Sequence, residues 1–176
     1  MIRNKNPFHS IKNTVFSILL TAFVSLFSLY ASAAGTFYNQ LNVTNVEGET
    51  VDLNLYQGRV VLLNFWATWC PPCIKEMPSM QRLQDQFNEQ EFQVVAVNMG
   101  QSVTTVESFI LELDYDFTLP VYLDEKGEAF STLSIGGMPS SFLLDRNGKI
   151  VERIVGAREW DHPANIAALK KMLQEK

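Results

Sequence analysis

The sequence predicts an α/β protein, a mixed β-sheet flanked by helices on both faces. Three observations carry that reading. Residues 60–66 and 92–98 are nearly continuous in apolar side chains rather than alternating, so both faces of those strands must be covered, as in the centre of a parallel or mixed sheet. Each run is followed by a segment with helix-start signals, the strand–helix alternation that builds parallel neighbours. Near the end, Asn147-Gly148 separates two apolar segments, and Asn-Gly is a strong hairpin signal that adds an antiparallel pair.

The first 33 residues read as a leader outside the fold. Arg3, Lys5 and Lys12 form a basic start, and residues 15–30 are apolar apart from Ser17, Thr21, Ser25 and Ser28. Ala31 and Ala33 then place small residues where a signal peptidase cuts, with cleavage expected after Ala33 and Ser32/Ala34 as the shifted alternative. A sixteen-residue apolar stretch is short for a membrane span, which takes about 20 residues. Left uncleaved, it would instead be an N-terminal membrane anchor. No cysteine lies near the cut, which excludes a lipoprotein anchor.

Composition bounds the rest. The chain has 176 residues, 47% of them hydrophobic and 19% charged, which excludes intrinsic disorder and supports a buried core. Its net charge is −5. Removing residues 1–33 takes away three cations and no acid, leaving 11 basic against 19 acidic residues, a net −8 on 143 residues. An acidic domain of this kind argues against binding nucleic acid through its phosphates. Two cysteines and two histidines exclude a disulfide-stapled mini-protein and a Cys-rich zinc fold.

The elements of the domain, residues 37–176, follow in order. Residues 41–55 alternate around Glu47-Gly48-Glu49 and predict a hairpin. The strand at 60–66 leads to a helix starting around Cys70–Pro72 and running to about Asn88; Pro71 and Pro72 suit its first turn, and Pro78 should kink it. After the strand at 92–98, Thr104 or Thr105 is expected to cap a helix to about Leu113, with Glu107 completing a capping box. Residues 119–123 form a short strand, 124–127 a turn, and a short helix follows to Leu133. Strands at 141–144 and 150–155 make the closing hairpin, and Asp161 is expected to cap a final amphipathic helix that ends in lysines.

The chemistry lies in Cys70-Pro71-Pro72-Cys73, at the junction of a buried strand and a helix. A cysteine just before a helix points its sulfur at free backbone N–H groups and the positive end of the dipole, which favours thiolate. The second cysteine, one turn on, falls within disulfide reach. Cys70 is therefore expected as the exposed nucleophile and Cys73 as the resolving thiol. Three other uses of the pair compete. Structural zinc wants four ligands, and His162 is the one histidine left after the leader. A passive disulfide across two residues constrains the unfolded chain little. Copper(I) could take both thiolates with Met77 or Met138.

The stretch from Asn64 to Pro78, Asn-Phe-Trp-Ala-Thr-Trp-Cys-Pro-Pro-Cys-Ile-Lys-Glu-Met-Pro, resembles the active-site segment of the thioredoxin superfamily, with Trp66, Trp69, both cysteines and Pro78 at the family spacing. Gly137-Met138-Pro139-Ser140, about 65 residues later, is similar to the family's cis-proline loop. Cys-x-x-Cys-x-x-Glu-x-Pro, the extra strand–helix segment before the proline loop, and the stretch from Ser141 to Gly148 narrow the resemblance to exported TlpA/ResA-like reductases. The resemblance implies a thioredoxin-like fold with an N-terminal β-hairpin and an inserted strand–helix segment. It implies substrate contacts at Trp69, Pro72, Met138 and Pro139, and no bound organic cofactor or metal. It also implies a periplasmic enzyme that reduces disulfides of other proteins and is itself re-reduced by a membrane thiol–electron donor. Disulfide oxidation and copper(I) delivery by the same cysteines stay open as other functions.

Two departures refine this. Thioredoxin carries a buried Asp at the position of Asn64, and no lysine stands in residues 92–98 to accompany one. Some other group must move protons to and from Cys73. Cys70, Cys73 and Glu76 fall within about 120° of arc at about 100° per residue, so they can share a side of the helix. The resemblance to the ResA-like branch implies a Glu near the active site here, and Glu76 is therefore the expected acid/base, with its proton affinity raised by partial burial. Relatives that serve cytochrome c maturation usually carry an acid after the cis-proline, where this chain has Ser140. Peroxiredoxins place their reactive cysteine in a different local pattern.

Overall fold

Among residues 37–174, which the computed structural model describes, seven strands form one sheet. They are β1 (Val43–Thr44), β2 (Thr50–Val51), β3 (Val60–Trp66), β4 (Phe92–Met99), β5 (Val121–Asp124), β6 (Ser140–Leu144) and β7 (Ile150–Val155). The helices are α1 (Pro71–Gln84), α2 (Val103–Leu111), α3 (Glu128–Thr132) and α4 (Pro163–Gln174), with 3-10 turns at Phe37–Gln40 and Leu53–Tyr56. The expected leader at 1–33 lies outside the described residues.

The strand order is β2-β1-β5-β4-β3-β6-β7. β3, β4 and β5 are parallel, while β6, β7 and the β1–β2 hairpin are antiparallel to their neighbours. The two apolar runs therefore sit side by side at the centre, and every residue of β3 and β4 is buried. Alternate side chains split into two cores. Val60, Leu62 and Trp66 pack with Met77, Met80 and Leu83 of α1, Val106 of α2 and Leu169 of α4. Val61, Leu63 and Phe65 pack on the opposite face with Phe37, Tyr38, Leu53, Ala129 and Leu133. Helices lie on both faces, with the three longer ones on the first. Removing a side chain such as Leu63 would leave a cavity costing about 2–5 kcal/mol.

Several boundaries differ from the sequence expectation, each for a visible reason. The hairpin pairs two residues per strand, and Leu53–Tyr56 turns into a 3-10 segment because the Asp52 carboxylate accepts the Asn54 N–H. α1 ends at Gln84 rather than Asn88: Gln86 and Phe87 bond back three residues in a tightened exit, and the Gln84 side chain leaves to accept the Val94 N–H at 2.7 Å. α2 begins two residues earlier than a cap at Thr104 requires. Ser102, with extended backbone, accepts the Thr105 N–H, so Thr104 and Thr105 lie inside the first turn and Glu107 has no capping box. The fifth strand starts at Val121, past Pro120. Asp161 does not cap α4, because Arg82 holds its carboxylate at 2.6 Å; His162 Nδ1 takes the Ala164 N–H instead.

Candidate active site

β3 delivers the chain to the site at Trp66. A turn closed by Cys70 N–H to the Ala67 carbonyl (3.1 Å) then carries it into α1. Cys70 is the N-cap residue of α1, with Pro71 at the first helical position and no side-chain capping bond of its own. Both prolines occupy positions whose N–H groups no helix carbonyl can use. Cys70 and Cys73 form a disulfide with Cα atoms 5.3 Å apart.

The turn before Cys70 is clamped from β4. Gln101, two residues past the end of that strand, accepts the Thr68 N–H at 2.8 Å and donates to the Thr68 hydroxyl at 2.7 Å, while Asn98 donates to the same Gln101 oxygen. Trp69, next along, is 64% exposed.

Exposure of the cysteines corrects one expectation. Cys70 keeps only 4% of its surface and Cys73 none. The expected nucleophile is the more accessible of the two, yet it does not project. Its sulfur is folded toward Cys73 in the disulfide, and Trp69, Pro71 and Pro72 form the exposed surface around it.

The proline loop meets the same region. The Met138–Pro139 bond is cis, as the resemblance implies. Pro139 is buried, and its carbonyl accepts the Gly156 N–H at 2.9 Å. Half-buried Met138 packs against the apolar cluster that contains both cysteines.

One helical turn past Cys73 lies a buried polar network. Glu76 is 2% exposed, not a solvated carboxylate on a helix surface. Its Oε1 accepts from Asn64 Nδ2 at 2.7 Å; its Oε2 accepts the Arg158 backbone N–H at 2.9 Å and the Trp160 indole N–H at 3.0 Å. Burial raises the proton affinity of Glu76, and the three donors oppose that rise in part. Asn64 also donates to the Ser141 hydroxyl at 2.8 Å, across the β3–β6 register pair. Ser79, one helix position past Pro78, takes the Trp160 backbone N–H at 2.9 Å and donates to the Glu76 carbonyl. Helix α1, two strands and the β7–α4 loop thus converge on one carboxylate.

The family model of the Redoxin family matches residues 25–173. The chain belongs to the Redoxin family. Among its relatives, a thiol-disulfide oxidoreductase ResA of Bacillus cereus is 40% identical over 114 residues, a match spanning 65% of this chain and 65% of that one. The chain therefore spans just under two thirds of the length of that relative. The thiol-disulfide oxidoreductase ResA of Geobacillus thermodenitrificans is 32% identical over 154 residues, covering 83% of this chain and 87% of that protein. The crystal structure of StoA from Bacillus subtilis superposes with a TM-score of 0.58 at 32% identity, covering 75% and 94% of the two chains. The fold of this Redoxin family member is thioredoxin-like.

Of the residues singled out from sequence, the structure brings Cys70 and Cys73 together as a disulfide. It places Trp69 and Pro72 on the surface, half-buried Met138 and buried Pro139 at a cis bond, and Glu76 buried on α1. Sequence reasoning missed Ser141, Arg158, Trp160, Ser79 and Gln101. One available signal was Asn64 itself, a polar residue in an otherwise apolar buried run, which needs partners. Among the described residues no cluster of three His, Cys, Asp or Glu side chains is placed to hold a metal ion, and no helix is long and apolar enough to cross a membrane.

Proposed function

We propose that the chain is an exported thiol–disulfide oxidoreductase that reduces disulfides of periplasmic proteins. The observation that carries the proposal is the Cys70–Cys73 disulfide at the N-terminus of α1, with buried Glu76 one turn further along the same helix. The cycle begins from the dithiol. The Cys70 thiolate, favoured by the helix N-terminus, attacks a substrate disulfide. A Cys70–substrate bond forms, the substrate S–S bond breaks, and the first substrate sulfur leaves as thiolate. Cys73 then gives its proton to the Glu76 carboxylate and attacks the Cys70 sulfur. The mixed disulfide breaks and the second substrate sulfur leaves. Two electrons have passed from the cysteine pair to the substrate, and Cys70–Cys73 is oxidised. A membrane thiol–electron donor returns the two electrons.

In this reading substrate docks on exposed Trp69 and Pro72 and at the Met138–Pro139 bend, where Met138 is half-buried and Pro139 buried. The backbone before the cis-proline pairs with an extended substrate segment. The leader at 1–33 supplies export, either cleaved or kept as an anchor. The names of the ResA relatives support the class of reaction.

The test is trapping in the periplasm with Cys73→Ser in the full chain. Cys70 should accumulate as mixed disulfides that a small thiol releases. Recovery of no adducts overturns the reductase reading, and recovered apocytochrome would assign the substrate to haem-protein maturation. Glu76→Gln should slow exchange and flatten its dependence between about pH 5 and about pH 9; unchanged kinetics across that range remove Glu76 from the mechanism.

A further inference from the structure

Glu76 accepts its proton at one oxygen only. Oε2 is held by the Arg158 backbone N–H and the Trp160 indole N–H, two groups that can donate but never accept. A proton on Oε2 would face two donors. The proton therefore belongs on Oε1, whose hydrogen-bond partner is Asn64 Nδ2 at 2.7 Å. That amide nitrogen is also a donor, and a protonated Oε1 would meet it donor to donor.

Asn64 has the means to resolve this. The atom that faces Glu76 also faces the Ser141 hydroxyl, at 2.8 Å. Its other amide atom, Oδ1, is buried and has no hydrogen-bond partner. Turning the amide over exchanges the two atoms. Oδ1 would then accept from the Glu76 O–H and from the Ser141 O–H, because a serine hydroxyl both donates and accepts. In each orientation one amide atom makes two bonds and the other makes none. Asn64 and Ser141 are 0% and 1% exposed, so bulk water does not reach either bond.

We infer that Asn64, braced by its register partner Ser141, is a positioning residue that serves both protonation states of Glu76 by reversing its side-chain amide. This rests on Glu76 being the proton carrier proposed above. The groups facing Glu76 are Asn64 and, through it, Ser141 from the sheet, Ser79 and the Cys73 position on its own helix, and Arg158 and Trp160 from the β7–α4 loop. Of these, Arg158 is charged, but it offers Glu76 its backbone; its guanidinium pairs with Glu152 at 3.3 Å at the surface.

The experiment uses the oxidised full chain, in which the cysteines do not titrate. The Asn64 side-chain 1H–15N resonances and the Glu76 carboxyl 13C resonance are followed together by NMR from about pH 4 to about pH 9. The two sets should share one midpoint, the Asn64 amide protons moving upfield as Glu76 takes its proton, and Glu76→Gln should abolish the Asn64 transition. Ser141→Ala leaves one Asn64 N–H without an acceptor in the carboxylate state, whereas Oδ1 in the protonated state keeps its bond from Glu76, so it should raise the Glu76 midpoint; Ser141→Thr, which keeps the hydroxyl, should restore it. A Glu76 carbon that titrates while the Asn64 resonances stay fixed overturns the amide reversal and leaves Glu76 as the proton carrier. A Glu76 carbon that does not titrate removes both.

Discussion

Replacing Trp160 by Phe removes one donor from a buried carboxylate while keeping an aromatic ring in place. In the folded protein the Trp160 indole N–H lies 3.0 Å from Glu76 Oε2. A hydrogen bond to a charged acceptor is worth about 1.5–3 kcal/mol, against about 0.5–1.5 for a neutral one. The difference, about 1–1.5 kcal/mol, is lost only when Glu76 is ionised, and it corresponds to about one further pKa unit upward. The sign follows from proton uptake. Burial already lifts the folded Glu76 above its ordinary value of 4.5, so the native state binds more protons than the unfolded chain between 4.5 and the folded value. Stability is greatest below that window, falls as pH rises through it, and then levels off. Trp160→Phe widens the window and deepens the fall. The smaller ring also enlarges a cavity of about 90 Å³ that Trp160 lines with Leu62, Leu83 and Leu169, but that loss does not depend on pH. The assay is thermal and denaturant unfolding of the oxidised protein at intervals from about pH 4 to about pH 9. The destabilisation should grow by about 1–1.5 kcal/mol toward high pH, or by about 3–6 °C in Tm for a domain of this size. A destabilisation that is the same at every pH would refute the claim that the indole N–H supports a charged Glu76.

Two further outcomes test other parts of the site. Gln101→Ala frees the Thr68 N–H and hydroxyl, so amide exchange at Thr68 should speed up at least about tenfold; unchanged protection would show that the turn before Cys70 is held by something else. Arg82→Ala breaks the ion pairs to Asp161 and Glu159, but Arg82 is 52% exposed, so the cost should stay under about 1 kcal/mol and shrink with added salt. In that variant the Asp161 carboxyl, now held low chiefly by its hydrogen bond from Arg82, should return toward its ordinary value, which NMR titration reads directly.

What was legible in the sequence was local. β3 and β7 fall at residues 60–66 and 150–155 as expected, because a continuous apolar run and an Asn-Gly turn carry their signals within a few residues. The cysteine pair was legible for the same reason, since its two members are one helical turn apart. The caps failed because Ser102, Thr104 and Thr105 are chemically equivalent candidates, and only the position where helical backbone begins decides among them. Asp161 failed because its partner Arg82 lies 79 residues away. The surroundings of Glu76 were invisible for that reason too. Ser141 stands 77 residues from Asn64, and Arg158 and Trp160 stand 82 and 84 residues from Glu76. No periodicity links such positions; only the assembled sheet and the β7–α4 loop bring them together.

A neutral residue at position 64 follows once Glu76 is placed. Asn64 Nδ2 and Glu76 Oε1 are 2.7 Å apart in a site closed to bulk solvent. Two carboxylates at that spacing cannot both ionise, and one would be forced to hold its proton. A chain that carries its carboxylate on α1 therefore needs a neutral residue on β3, and one able to donate to the ionised form. Asn meets both needs and Leu meets only the first. The carboxylate shares a helix with Cys73, one turn away. It is also gripped by the loop before α4, which α1 holds independently through Ser79 and Arg82. Proton affinity at Glu76 is thereby tied to the position of that loop, whose Arg158 and Trp160 N–H groups both oppose the rise that burial causes.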